Sequence, residues 1–176
     1  FAAWAHTIKI HPWIQDCKEI ILTNDSIIGP IGMSGTELME KIRSRHADVI
    51  GLVENNEHAR HLQSFFLVFR EKAIQSRDFK NFWSTVINHA DKSKVIRDYE
   101  ITFTSRLQSC GLSTDCIFQQ AGENNATIFN WEKLLDEGFP FLKFEVVKNS
   151  NRQDIQHIKT RLKADSYDTS LIPQLS

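Results

Sequence analysis

Asn24, Asp25 and Ser26 follow the apolar run Ile20-Ile21-Leu22 and precede Gly29-Pro30. In open α/β sheets, ligands sit beyond the carboxyl ends of strands. A carboxylate flanked there by an amide and a hydroxyl offers hard oxygens to a divalent cation carrying a diphosphate. The same three residues also suit an Asx turn, with a side chain bonded to its own backbone. A second polar group, His61, Gln63 and Ser64, heads a strongly apolar run. Gln63 suits hydroxyl groups, and His61 a phosphate or a hydroxyl, because sites gather at strand ends. Edge-of-sheet polarity accounts for these residues equally well. A third group is acidic, Asp98 and Glu100 within Arg97-Asp98-Tyr99-Glu100. Glu100 is expected to open a helix, whose N-terminus stabilises a carboxylate. The plain alternative is a solvated helix charge paired with Arg97 or Thr104. Trp131 offers a flat ring for stacking, although aromatic rings more often fill cores. No phosphate-binding P-loop, nucleophile elbow or two-histidine zinc motif occurs.

These groups need elements to position them. Residues 1–17 read as a helix stopping near Pro12. Residues 19–25 and 48–53 read as strands. Ser34 with Glu37 three residues later has capping-box spacing and starts a helix that runs to about residue 46. Residues 54–60 are polar and loop-like. Residues 61–69 are apolar on both faces, which predicts one central strand. Helices are expected over 76–89, with Asp78 as a cap, and over 93–109, stopped by Gly111. A strand at 112–119, a polar loop at 123–126, a helix at 129–137 and an amphipathic helix at 154–162 follow. Residues after Asp165 are expected to fray.

The chain has 176 residues, with 41% hydrophobic and 24% charged residues, an ordinary globular composition. Its net charge of −1 leaves no basic stripe for duplex nucleic acid. No apolar run is long enough to span a bilayer. Three cysteines without CxxC spacing and no secretory leader favour reduced thiols in cytoplasm.

Four blocks, in order, resemble the rhamnan synthesis F family of bacterial glycosyltransferases. They are Leu22-Thr23-Asn24-Asp25-Ser26-Ile27-Ile28-Gly29-Pro30, then Ala47-Asp48-Val49-Ile50-Gly51-Leu52 with His61 to Phe69, then Tyr99-Glu100-Ile101. The last is Asn125-Ala126-Thr127 with Trp131-Glu132 and Gly138-Phe139-Pro140-Phe141-Leu142-Lys143. The resemblance implies an α/β fold, a mixed sheet flanked by helices, as the C-terminal part of a GT-A-like nucleotide-diphospho-sugar transferase. It places a GT-A-like domain at 1–148 and a C-terminal helix with a tail at 149–176. A nucleotide-binding half is expected upstream of Phe1, so this chain alone should bind a sugar nucleotide weakly.

The resemblance also implies roles. Glu100 is the base on the acceptor hydroxyl, with Asp98 in reserve. Asp25 stands on the diphosphate side as a ligand of Mg2+ or Mn2+, although Thr23 replaces the first acid of the Asp-x-Asp motif of GT-A enzymes. Asn24, Ser26, His61, Gln63, Ser64 and Trp131 bind substrate. The implied donor is a nucleotide sugar, dTDP-rhamnose. The implied acceptor is a polysaccharide or lipid-linked glycan at the cytoplasmic face of the membrane, with peripheral association and no nucleic acid. A non-catalytic carbohydrate-binding or assembly module on the same fold is the alternative. A phosphatase-like hydrolase would need a second acidic cluster, which is not found.

Overall fold

The computed structural model describes residues 1–119, 122 and 124–172. The chain begins with α1 (Ala2–Ile10), a 3-10 turn (Pro12–Asp16), β1 (Glu19–Thr23), β2 (Ile27–Ile28) and α2 (Gly35–Arg43). It continues with β3 (Val49–Asn55), β4 (His61–Leu62), β5 (Phe66–Arg70), α3 (Glu71–Gln75) and α4 (Arg77–Thr85). Next come α5 (Lys92–Val95), a π-helical turn (Ile96–Glu100), α6 (Ile101–Ser109) and β6 (Thr114–Phe118). The remainder is α7 (Ala126–Phe129), α8 (Trp131–Asp136), β7 (Leu142–Lys143), α9 (Phe144–Lys148), α10 (Arg152–Ala164) and a 3-10 turn (Thr169–Leu171). The fold is mixed α/β, as expected.

Contacts group the chain into two compact units. The first holds Phe1–Thr23 and Ser44–Glu123, and the second holds Asn24–Arg43 and Asn124–Ser176. Residues 149–172 share a unit with α2. Of the expected loop at 123–126, Glu123 lies outside the described residues, as do 173–176 of the tail.

The first unit is built on a mixed sheet. β5 pairs antiparallel with β1 on one side and with β3 on the other, and β6 runs parallel to β3. Val49, Ile50, Leu67, Val68 and Phe69 are fully buried, which makes β5 and β3 the central strands. Against one face lie α1, α4 and α6. Ser76 accepts the Phe79 N–H at 3.1 Å and caps α4, the role that Asp78 was expected to fill. Phe79, Phe82 and Trp83 then recur at helical spacing and enter an aromatic cluster. Phe82 meets Trp83 edge-on at 5.0 Å, and Phe69 meets Phe79 edge-on at 5.2 Å.

Two departures from regularity matter for the site. The expected single strand at 61–69 is interrupted. Glu54 pairs with Leu62, but Gly51 pairs with Leu67, so residues 63–66 stand opposite only Leu52 and Val53. Such a bulge bends the strand and re-aims its side chains. The second departure corrects the expected helix start at Glu100. Glu100 sits inside a continuous helical run, at the end of the π turn, where the Ile101 N–H reaches back to the Ile96 carbonyl. The N-terminal dipole argument therefore does not apply to it.

In the second unit, β2 pairs antiparallel with β7. The capping box forms as its spacing predicts: Glu37 accepts the Ser34 N–H at 2.7 Å, and Ser34 Oγ accepts the Glu37 N–H at 3.2 Å. The core gathers Ile31, Leu135, Leu142, Val147, Ile155, Ile158 and Leu162. Ile172 joins it, so the expected fraying after Asp165 does not extend over 166–172.

Candidate functional site

Helical spacing puts Glu100 and Thr104 on one face, one turn apart. That face meets the bulged strand. Thr104 Oγ1 accepts the Leu62 N–H at 2.8 Å, which satisfies a backbone donor on the outer side of β4. One turn earlier, Ser64 Oγ donates to Glu100 Oε2 at 2.5 Å. Ser64 lies in the bulge and Glu100 at the end of the π turn, so two irregular segments meet at this bond.

His61 completes the group. Its Nε2 lies 3.7 Å from Glu100 Oε1, and its side chain is 2% exposed, against 21% for Glu100. Its Nδ1 lies 2.6 Å from the Ala59 carbonyl. That carbonyl is aimed by a three-residue turn in which Ala59 N–H reaches the Glu57 carbonyl, with His58 at φ 69°. Such a turn is strained for a residue with a side chain. With Nδ1–H donated to Ala59, Nε2 is the nitrogen that faces Glu100. Burial pulls the His61 pKa down. The Glu100 carboxylate, the Ala59 carbonyl and the charge of Glu57 together outweigh burial, so the pKa lies above its ordinary value.

The other expected residues fall elsewhere. Gln63 is 2% exposed. Asp98 is ion-paired with Arg97 at 2.8 Å, and that bond holds its carboxyl below the usual range. Asn24, Asp25, Ser26 and Trp131 belong to the second unit, whereas Glu100, His61 and Ser64 belong to the first. Asn24 Oδ1 accepts both the Ser26 N–H at 3.0 Å and the Ser26 hydroxyl at 2.5 Å. The Asx turn therefore forms through Asn24, and Asp25 is left as the exposed carboxylate. Among the described residues, no three His, Cys, Asp or Glu side chains are grouped to hold a metal ion. Trp131 packs against the second core, edge-on to His157.

A cavity of about 60 Å³ adjoins His61 and Thr104, also lined by Glu54, Arg60, Gln108 and Asp115. It has room for water rather than a sugar ring. Cys116 lies nearby, its thiol pushed up to about 11 by burial and by Glu54 and Asp115, and is thus unreactive. From sequence, Glu100 and His61–Ser64 are expected on one acceptor side, but their contacts are not, since Ser64 and Glu100 are 36 residues apart. No local signal encodes that approach.

No helix among the described residues is long and apolar enough to cross a membrane. The family model for rhamnan synthesis protein F matches residues 1–175. The protein y4gN of Sinorhizobium fredii (strain NBRC 101917 / NGR234), described as uncharacterized, is 31% identical over 117 residues. That stretch covers 64% of this chain and 29% of the relative, so the chain spans less than a third of that protein's length. No solved structure matches the chain. With the match running over essentially its whole length, the chain belongs to the rhamnan synthesis protein F family.

Proposed function

We propose that this chain supplies the acceptor side of a glycosyltransferase that builds a rhamnose-containing polysaccharide, with Glu100 as the base. Family membership supports a role in rhamnan synthesis. The observation that carries the catalytic reading is the Glu100 carboxylate, held by Ser64, faced by His61 and still open to solvent over a fifth of its side chain. Glycosyl transfer with inversion asks for such a group. The acceptor oxygen bonds to the anomeric carbon. The bond to the diphosphate oxygen breaks, and its electron pair leaves with the nucleoside diphosphate. The acceptor proton passes to the carboxylate.

Ser64 fixes one oxygen of that carboxylate, and His61 sets the electrostatic surroundings of the other. Both are positioning residues in this reading rather than sugar ligands. The donor, dTDP-rhamnose, the glycan acceptor and a setting at the cytoplasmic membrane face come from the family resemblance. Asp25 is proposed for the diphosphate side, where one carboxylate suits a hydrated Mg2+ or Mn2+.

The test is transfer from dTDP-rhamnose by the whole polypeptide in which these residues occur. Glu100→Gln is expected to slow transfer by at least about a hundredfold while donor affinity is unchanged. Transfer retained in that variant but lost in Asp98→Asn would move the base to Asp98. Transfer retained in both would leave the chain as a carbohydrate-binding or assembly module.

A further inference from the structure

A cavity of the first unit lies between α1 with its following 3-10 turn and α4, and Glu100 is not among its lining residues. It measures about 630 Å³, within the size range of small-molecule sites. Its wall is apolar where Ile8, Phe79 and Trp83 contribute. Its charged lining is of one sign, beside the neutral Gln15, Ser84 and Asn88. Lys9 and Lys80 line it together with His6, and no Asp or Glu does so among the described residues. Neither lysine forms an ion pair among the described residues, although salt bridges are plentiful elsewhere in this unit. Trp83, 4% exposed, belongs to that apolar wall.

We propose that this cavity binds an amphipathic anion. An apolar chain or ring lies against Ile8, Phe79 and Trp83, and a phosphate or carboxylate head meets Lys9 and Lys80. The site takes no part in the transfer chemistry above and stands whether or not Glu100 is a base. The apolar wall supplies burial, the two ammonium groups supply charge attraction, and the attraction weakens as salt rises. The head group belongs either to a membrane lipid or to a free amphiphile, and the chemistry is the same for both.

Decyl phosphate is the probe, titrated into the 176-residue chain by calorimetry and tryptophan fluorescence. Saturable one-to-one binding is expected, with inorganic phosphate and decanol each weaker by about tenfold or more, a loss of one ammonium or apolar contribution. Lys9→Glu combined with Lys80→Glu should weaken binding at least about tenfold with unchanged circular dichroism and melting temperature, since both side chains are exposed. Ser84→Trp, which crowds the lining, should do the same. Co-sedimentation with phosphatidylcholine vesicles containing phosphatidic acid, reversed by decyl phosphate, would assign the head to a lipid. Binding of the probe without co-sedimentation would assign it to a free amphiphile. Absence of saturable binding, or binding that survives both sets of substitutions, overturns the proposal.

Discussion

Glu100 shows how little of a side chain's role follows from its own surroundings in the chain. Its neighbours Arg97 and Asp98 pair with each other, and its oxygens turn instead to Ser64 and His61. If these two position Glu100, Ser64→Ala should lower the turnover of glycosyl transfer with little change in KM for the acceptor, and Ser64→Thr should restore part of it. A loss confined to acceptor KM would instead make Ser64 a substrate ligand. His61 gives a signature in pH. Its folded pKa is raised, so the folded state favours the imidazolium. The stability it contributes is complete below about 6.5, the ordinary value, and is lost as pH rises through the folded value. Urea unfolding of the native chain should therefore show stability falling across that window, and His61→Gln should flatten the fall. An unchanged profile in the variant would show that His61 gains nothing from Glu100 as a cation.

Two joints between elements are open to the same kind of test. At the start of the sheet, Asp48 Oδ2 accepts the Ser113 N–H at 2.8 Å, the Ser113 hydroxyl at 2.9 Å and Lys72 Nζ at 2.7 Å. Those bonds tie the beginning of β3 to that of β6. Burial pushes the Asp48 pKa up, but Lys72 and Ser113 push it down further, and the net shift is downward. Its contribution is present above about 3.8 and is lost as pH falls through the lowered folded value. Asp48→Asn should cost roughly 1.5–3 kcal/mol at neutral pH and remove that acid-side loss, as read from urea midpoints. In the second unit, the block carrying Gly29-Pro30 and the block carrying Pro140-Phe141 are brought side by side by the β2–β7 pair. Ile31 N–H donates to the Pro140 carbonyl at 2.8 Å. A Cβ on Gly29 would stand 2.4 Å from that carbonyl oxygen, and φ is +153°. Gly29→Ala should destabilise by at least about 2 kcal/mol through overpacking and strain. Gly35→Ala, where nothing lies within 4 Å, should not.

At the level of the whole molecule, neither compact unit is one continuous stretch of chain. The second is assembled from Asn24–Arg43 and Asn124–Ser176, and its core needs Ile155, Ile158 and Leu162 of α10. Ending the chain after Lys148 should strip amide-exchange protection from α2 and the β2–β7 pair, while β3 and β5 keep theirs. Protection of α2 that survives the truncation would show that α10 is an appendage, as a boundary at 148 implies. The sequence by itself determined the elements that rest on local rules. The Ser34–Glu37 capping box, the stop at Gly111, the apolar runs of β3 and β5 and the Phe79, Phe82, Trp83 stripe all behave as spacing dictates. It also carried the family blocks, including Asp25, Glu100 and His61. Only the tertiary structure decided that 61–69 breaks into a bulge, that Glu100 ends a π turn rather than opening a helix, and that His61, Ser64 and Glu100 meet. The physical reason is range. Caps and periodicity are settled within a few residues, whereas a bulge and the carboxylate it serves are settled together, by packing between segments that lie far apart along the chain.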